Sequence, residues 1–110
     1  MLAILPYGFR KDSAMNTPNG AYQSLVDFMN KSRGTYSDWY AGIAENPKDR
    51  LTSGHGVTTE DYLFDFVPTS DEARQVEQAL FKIGCDGGPG GGGRTTNGIY
   101  IYRKSRNTRE

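Results

Sequence analysis

The sequence predicts an α+β fold, in which a small, mainly antiparallel sheet of three to four strands packs against two main helices and one short helix. Apolar residues recur at helical spacing in some stretches and at every second residue in others, and the two kinds of stretch alternate along the chain. The 110 residues suffice for one core but not for two. We therefore expect residues 1–110 to form a single domain with helices layered on a sheet.

The first predicted elements cover residues 2–44. Residues 2–9 are apolar and favour a strand, which Pro6 restricts to a sheet edge. A helix follows, because Thr17 suits the N-cap, Pro18 the first turn, and apolar residues then recur at helical spacing up to Gly34. Residues 36–44 alternate between two faces, as a strand does.

The second half repeats the alternation of strands and helices. Asn46 and Pro47 begin a short helix that Gly54 ends, and residues 61–68 form an aromatic strand. Thr69 and Glu72 have the spacing of a capping box for a helix that ends at Gly84. A glycine-rich loop, residues 86–94, leads to a last strand over residues 98–103 and a basic end.

Composition excludes several classes of protein. Thirteen basic and thirteen acidic residues cancel, so no overall field attracts the chain to nucleic acid or to an anionic membrane. The single cysteine, Cys85, excludes an internal disulfide and a zinc site built on several thiolates. No apolar run is long enough for a membrane span, and the first residues lack a signal-peptide pattern. We expect a cytoplasmic protein without a membrane partner.

Glu77 is the most informative acidic residue. It lies four residues after Ala73 and three before Leu80, so its carboxylate emerges beside the apolar stripe of its helix. A buried carboxylate requires a cation, a metal ion or good hydrogen bonds. The position fits a structural ion pair with an arginine and a functional role equally well.

The stretch WYAGIAENPKDRL, residues 39–51, resembles the second strand and following helix of the GIY-YIG nuclease family, in which Tyr-x-Gly precedes a helix with Arg-Leu. Residues 71–80 are similar to the family's later helix with its glutamate. The resemblance covers residues 36–84. It implies that Tyr40 orients or activates the attacking water, that Arg50 holds the scissile phosphate, and that Glu77 binds Mg²⁺ or Mn²⁺.

Two further residues extend this resemblance. His55 follows the Arg-Leu turn at a place where family members carry a basic residue, and it would assist proton transfer; the alternative is a surface histidine. The family's first strand, with Gly-x-Tyr, is not found ahead of Tyr40, but Gly-Ile-Tyr occurs at residues 98–100. We expect this last strand to pair beside residues 39–44 and to deliver Tyr100, or its same-face neighbour Tyr102, to the site.

A second group of residues has the chemistry of a phosphate site. Backbone N–H groups of a glycine-rich loop can hold anions, and arginine, threonine and asparagine side chains supply further donors. The residues predicted to bind phosphate are Arg50, Gly90, Gly91, Arg94, Thr95, Asn97 and Arg103. The alternative for the glycine run is a flexible connector.

These features predict a metal-dependent phosphodiesterase or endonuclease acting on nucleic acid, or a remnant of one. The alternative is a non-catalytic, oligomeric protein that binds or sequesters a nucleotide or cyclic nucleotide signal, for example a phage anti-defence protein. In that case no metal is needed, and Arg50, Arg94 and Arg103 hold phosphates while an aromatic side chain stacks on the base. An inhibitor that binds another protein through its aromatic surface is a third possibility.

Overall fold

The computed structural model describes residues 15–88 and 93–110. The expected strand over residues 2–9 and the glycines Gly90 and Gly91 lie outside these ranges. The elements are α1 (Pro18–Asn30), β1 (Trp39–Ala44), α2 (Pro47–Asp49), β2 (Tyr62–Phe66), α3 (Ser70–Ile83) and β3 (Gly98–Arg103). A π-helical turn, Arg50–Gly54, continues α2. The predicted α+β architecture is confirmed.

Local sequence signals explain where the two long helices begin. The Thr17 side chain accepts a hydrogen bond from the Gly20 amide at the start of α1. Thr69 does the same for the Glu72 amide, and its hydroxyl donates to the Glu72 carboxylate, which completes the capping box of α3. Gly84, with φ of +124°, ends α3 in a conformation that favours glycine.

β2 is slightly shorter than the predicted residues 61–68, and two other boundaries differ by more. α1 ends at Asn30 rather than near Gly34, because residues 30–34 contribute no buried side chain to the core. β1 begins at Trp39 rather than at residue 36, because residues 36–38 form a 3₁₀ turn in which the Asp38 carboxylate accepts a hydrogen bond from the Thr35 amide. Periodicity alone does not detect such a local cap.

The three strands of the described sheet lie in the order β1-β3-β2, and both pairings are antiparallel. β3, the last strand in the chain, is therefore the central one. One face of the sheet packs against α1 and α3 in the main core, where Trp39 and Ile101 are almost fully buried. The other face carries the tyrosines of β1 and β3, and residues 44–57 cover part of it.

None of the helices in the described part of the chain combines the length and the apolar character that a bilayer crossing requires. The two longest, α1 and α3, have 13 and 14 residues. A helix needs about 20 apolar residues to span the hydrocarbon region. The helices serve instead to bury one face of the sheet.

Candidate active site

The pairing of β1 with β3 brings the two tyrosine motifs of the sequence together. In the antiparallel register Tyr40 lies opposite Tyr102, and Gly42 lies opposite Tyr100. Directly opposed residues project from the same face of a sheet. The rings of Tyr40 and Tyr102 stack with centroids 5.2 Å apart. The last strand thus pairs beside residues 39–44, as we expected from the sequence, with Gly98-Ile99-Tyr100 opposite residues 42–44.

Gly42 leaves the space that the Tyr100 side chain occupies. A Cβ atom at residue 42 would lie 2.4 Å from the Tyr100 hydroxyl oxygen and 2.5 Å from its Cζ atom. The phenol therefore lies across the backbone of β1 at the one residue of that strand that has no side chain. This close approach of Tyr100 gives a physical reason for the glycine that stands two residues after Tyr40 in β1.

His55 lies over this face at the end of the π-helical turn and is 7% exposed. Its Nε2 atom is 2.7 Å from the Tyr100 hydroxyl, and its Nδ1 atom is 2.6 Å from the Arg109 carbonyl oxygen. Its ring centroid is 4.9 Å from that of Tyr40. We call Tyr40, His55, Tyr100 and Tyr102 the tyrosine–histidine cluster. A surface position for His55 is excluded by its burial.

Arg50 reaches the same cluster from the first residue of the π-helical turn. Its positive charge lowers the pKa values of Tyr100 and Tyr40 and so reaches both hydroxyls. Gly54 permits this orientation, because a Cβ atom there would lie 2.8 Å from the Arg50 Cδ atom. Arg50 itself is exposed, so its guanidinium is accessible to an anion from solvent.

Glu77 contributes negative charge from α3. Its carboxylate acts electrostatically on Tyr40 and Tyr100, although the residue is only 8% exposed. Burial raises the pKa of Glu77, and the nearby charge of Arg74 opposes this effect. Within the described residues no hydrogen bond to the Glu77 carboxylate is formed. The structure thus brings Tyr40, His55 and Tyr100 into contact, and it places the charges of Arg50 and Glu77 close enough to act on the two tyrosines.

Burial also decides the protonation of the tyrosines. It raises the pKa of Tyr100 to about 12 and raises the pKa values of Tyr40 and Tyr102. The positive charge of Arg50 lowers the pKa of Tyr100, but it does not outweigh burial. All three hydroxyls therefore carry their protons at neutral pH. Tyr100 can act on a water molecule as a base only if another group removes its proton, and the His55 Nε2 atom is in position to do so.

The Glu77 carboxylate is the candidate ligand for a divalent cation. Residues 15–88 and 93–110 contain no group of three histidine, cysteine, aspartate or glutamate side chains that would enclose a metal ion. A site with a single carboxylate fits Mg²⁺ better than zinc, because Mg²⁺ commonly binds one or two carboxylates and keeps several waters. The donor set is compatible with the Mg²⁺ or Mn²⁺ that the family resemblance implies.

The remaining predicted phosphate ligands lie elsewhere. Arg94, Thr95 and Asn97 line a groove of about 360 Å³ beside the first turn of α3. The Asn97 side chain donates to the Val67 carbonyl oxygen at 2.9 Å and so also joins two loops. Arg103 projects from the helix-covered face of the sheet, where it lies 5.0 Å from the Trp39 ring and hydrogen-bonds the Arg33 carbonyl oxygen. It is not brought to the cluster.

Two sets of contacts at the cluster have no counterpart in the sequence prediction. The Gly88 amide, at the start of the glycine-rich loop, donates a hydrogen bond to the Tyr40 hydroxyl. Residues 105–110 return to His55 and Tyr102 through Arg109 and Glu110. In the sequence this segment is a mixed run of charged and polar residues, and no periodic pattern marks it as part of a site.

Comparison of the chain with protein-family models, with curated proteins and with solved structures gave no match. The assignment of a function to this site therefore depends on its geometry and on the motifs that the chain itself contains.

Proposed function

We propose that this protein is a metal-dependent phosphodiesterase that cleaves nucleic acid at the tyrosine–histidine cluster. The observation that carries the proposal is the convergence of Arg50, Glu77, His55 and two tyrosines from four separate stretches of the chain. Phosphodiester hydrolysis needs a positioned water, a base for its proton and positive charge against the phosphate. The cluster contains a group for each of these tasks.

Tyr100 and His55 form the path for the proton. As water attacks phosphorus, a P–O bond forms and the bond to the leaving oxygen breaks. The proton of the water passes to the Tyr100 oxygen, while the Tyr100 proton passes to His55 Nε2, 2.7 Å away. The leaving oxygen takes a proton from solvent, and His55 later releases its own. Tyr40, held by the Gly88 amide, orients the water.

Arg50 and Glu77 supply the charges. The exposed guanidinium of Arg50 binds the phosphate and stabilises the negative charge that grows on it during attack. Glu77 would hold Mg²⁺ or Mn²⁺, which, when bound, supports the leaving oxygen as a Lewis acid. The carboxylate lies close enough to Tyr40 and Tyr100 to influence their ionisation, so a cation bound there acts on the same reacting groups.

The proposal is tested by cleavage of end-labelled single-stranded and double-stranded DNA and RNA, with Mg²⁺, with Mn²⁺ and with a chelator. We expect metal-dependent cleavage that falls by about 100-fold or more in Arg50→Ala and Glu77→Ala, which is the usual scale for loss of a transition-state charge contact. Lys48→Ala is the matched control, because Lys48 is an exposed cation two residues before Arg50.

Two results would contradict the proposal. One is the absence of cleavage of every substrate with either metal. The other is activity that survives both Arg50→Ala and Glu77→Ala. If the protein cuts nothing but gains thermal stability with free nucleotides, the nucleotide-binding alternative replaces the nuclease: a ligand at about 100 times its dissociation constant adds about 2.7 kcal/mol.

A further inference from the structure

Residues 105–110 bind His55 through both its backbone and its ring. The Arg109 amide donates to the His55 carbonyl oxygen at 2.8 Å, and the Arg109 carbonyl oxygen lies 2.6 Å from His55 Nδ1. The Arg109 guanidinium donates to the Ser53 carbonyl oxygen. A turn within the segment, in which the Ser105 amide donates to the Thr108 hydroxyl, directs it back to this position.

These contacts determine which ring nitrogen of the neutral imidazole carries the proton. A carbonyl oxygen accepts hydrogen bonds but cannot donate them, so the Nδ1 atom beside Arg109 must hold the proton. The Nε2 atom is then an acceptor, and the Tyr100 hydroxyl donates to it. This is the tautomer that can receive the proton of Tyr100.

Glu110 prevents a competing arrangement. The Tyr102 hydroxyl is 3.1 Å from His55 Nδ1 and would favour the opposite tautomer if it donated to that atom. It donates a hydrogen bond of 2.9 Å to the Glu110 carboxylate instead. The Tyr102 oxygen is then left as a second acceptor for the Nδ1 proton. Tyr102 is fully buried, so water does not take the place of these partners.

We propose that Arg109 and Glu110 are positioning residues that hold His55 in the Nδ1-protonated tautomer, in which Nε2 accepts the proton of Tyr100. The expected effect on cleavage rests on the proposed function, whereas the assignment of the His55 tautomer does not. The rings of Tyr40, Tyr100 and Tyr102 and the Arg109 carbonyl face His55 directly. Two charged residues act on it indirectly, Arg50 through Tyr100 and Glu110 through Tyr102.

The test uses the fact that His55 is the only histidine in the chain. The ring ¹⁵N signals in NMR spectra of the full chain at about pH 9, where an ordinary imidazole is neutral, report the tautomer without substrate or metal. We expect protonation at Nδ1 in the wild type. In Glu110→Ala the freed Tyr102 hydroxyl competes with the Arg109 carbonyl oxygen for Nδ1, and the population of the Nε2-protonated tautomer should rise to a detectable level.

Two further variants distinguish this mechanism from general disruption. Glu110→Gln keeps an acceptor oxygen for Tyr102 and should keep the wild-type tautomer. The double variant Glu110→Ala/Tyr102→Phe removes the competing hydroxyl and should restore protonation at Nδ1. Arg106→Ala, an exposed residue of the same segment, is the control. Cleavage should fall by about 10- to 100-fold in Glu110→Ala and recover in the double variant, within the range of general base effects.

A wild-type imidazole protonated at Nε2 overturns the inference, and so does a Glu110→Ala variant that folds and keeps the wild-type tautomer. If Glu110→Ala does not fold, the double variant and the wild type still decide the matter. If the tautomers follow the expected series while no variant cleaves nucleic acid, the positioning of His55 stands and the proposed nuclease function fails.

Discussion

At the scale of single residues, Gly42 determines whether Tyr100 can reach His55. The phenol lies where a side chain of residue 42 would be, and the hydrogen bond of 2.7 Å to His55 depends on that position. A methyl group there would move the phenol or the strand by more than 0.5 Å, because the neighbouring atom is part of a buried ring. Catalytic geometry tolerates much less displacement than stability does.

We therefore predict that Gly42→Ala reduces nucleic-acid cleavage by about 100-fold, the cost of misplacing a catalytic group by about an ångström. The free energy of unfolding should fall by about 1–3 kcal/mol, as for other overpacked cores. Cleavage rates and urea unfolding measure the two effects. Gly93→Ala is the control, since a Cβ atom at residue 93 meets no atom within 4 Å. Normal cleavage by a folded Gly42→Ala protein would contradict the role given to this contact.

Glu77 leads to a prediction about pH and stability. Burial raises the pKa of its carboxyl group in the folded protein above the ordinary value of 4.5, so the folded state binds this proton more tightly than the unfolded state. The stabilising contribution is full below the ordinary pKa and is lost as the pH rises through the raised one. Without a divalent metal, Glu77→Gln should be more stable than the wild type at pH 7, and the difference should shrink towards pH 4.

Urea unfolding at several pH values, in the presence of a chelator, measures this effect. Added Mg²⁺ should stabilise the wild type and leave Glu77→Gln unchanged, since only the carboxylate binds the cation. Glu60→Gln, a change at an exposed acid, should have no effect in either condition. A Glu77→Gln protein that is less stable than the wild type at pH 7 would mean that the carboxylate has a stabilising partner.

From the sequence, the candidate residues of the site could be identified more readily than the residues that contact them. Tyr40, Arg50 and Glu77 could be selected because a strand, a capped helix and an apolar stripe each have a period that places their side chains. The contacts of Arg109 and Glu110 could not be predicted, because they depend on how an irregular segment turns in space. Hydrogen bonds between residues 54 positions apart have no local signature.

At the scale of elements, α3 is the support for Glu77. Its start is defined by the reciprocal contacts of Thr69 and Glu72, and its buried stripe packs against α1 and β1. These features follow from residue types at fixed spacings, so the helix was predicted within one residue at each end. β1 was predicted three residues too long, because the 3₁₀ turn before it depends on a single aspartate side chain.

We predict that Thr69→Ala lowers the free energy of unfolding by about 1 kcal/mol through the loss of the cap. Cleavage by the folded fraction should be unchanged, because Thr69 contacts no residue of the tyrosine–histidine cluster in the described structure. Urea unfolding and cleavage rates measured on the same preparations separate the two effects. Thr58→Ala, at an exposed threonine outside any helix, should be neutral. A cap variant with full stability but reduced cleavage would contradict this division of roles.

At the scale of the whole molecule, the site depends on residues that are far apart in the chain. The two tyrosines that flank Gly42 in space come from β1 and β3, which are separated by β2 and α3 in the chain. The sequence predicted this pairing only because the Gly-Ile-Tyr motif at residues 98–100 suggested it. Antiparallel order and register are otherwise set by the complete core, which no single stretch of sequence specifies.

The balanced charge of the molecule leads to a prediction about binding. With thirteen cations and thirteen anions, affinity for nucleic acid has to come from a few local cations, chiefly Arg50 at the cluster and Arg94 in the separate groove beside α3. Each phosphate contact contributes about −0.9 to the slope of log affinity against log salt, so we predict a slope of about −2 with double-stranded DNA. Binding measured across a series of salt concentrations gives this slope. A value near −6 would show that additional cations contact the backbone.

The central place of β3 has a consequence for how the molecule folds. In the described sheet, β1 and β2 form their antiparallel hydrogen bonds with residues 98–103 and not with each other, so both pairings require β3 to insert between them. Contacts of such long sequence separation are slow to form, and unpaired strand edges are prone to aggregate in the meantime. During synthesis both pairings therefore wait until residues 98–103 have left the ribosome, so the sheet and the site assemble together, later than either earlier strand is made.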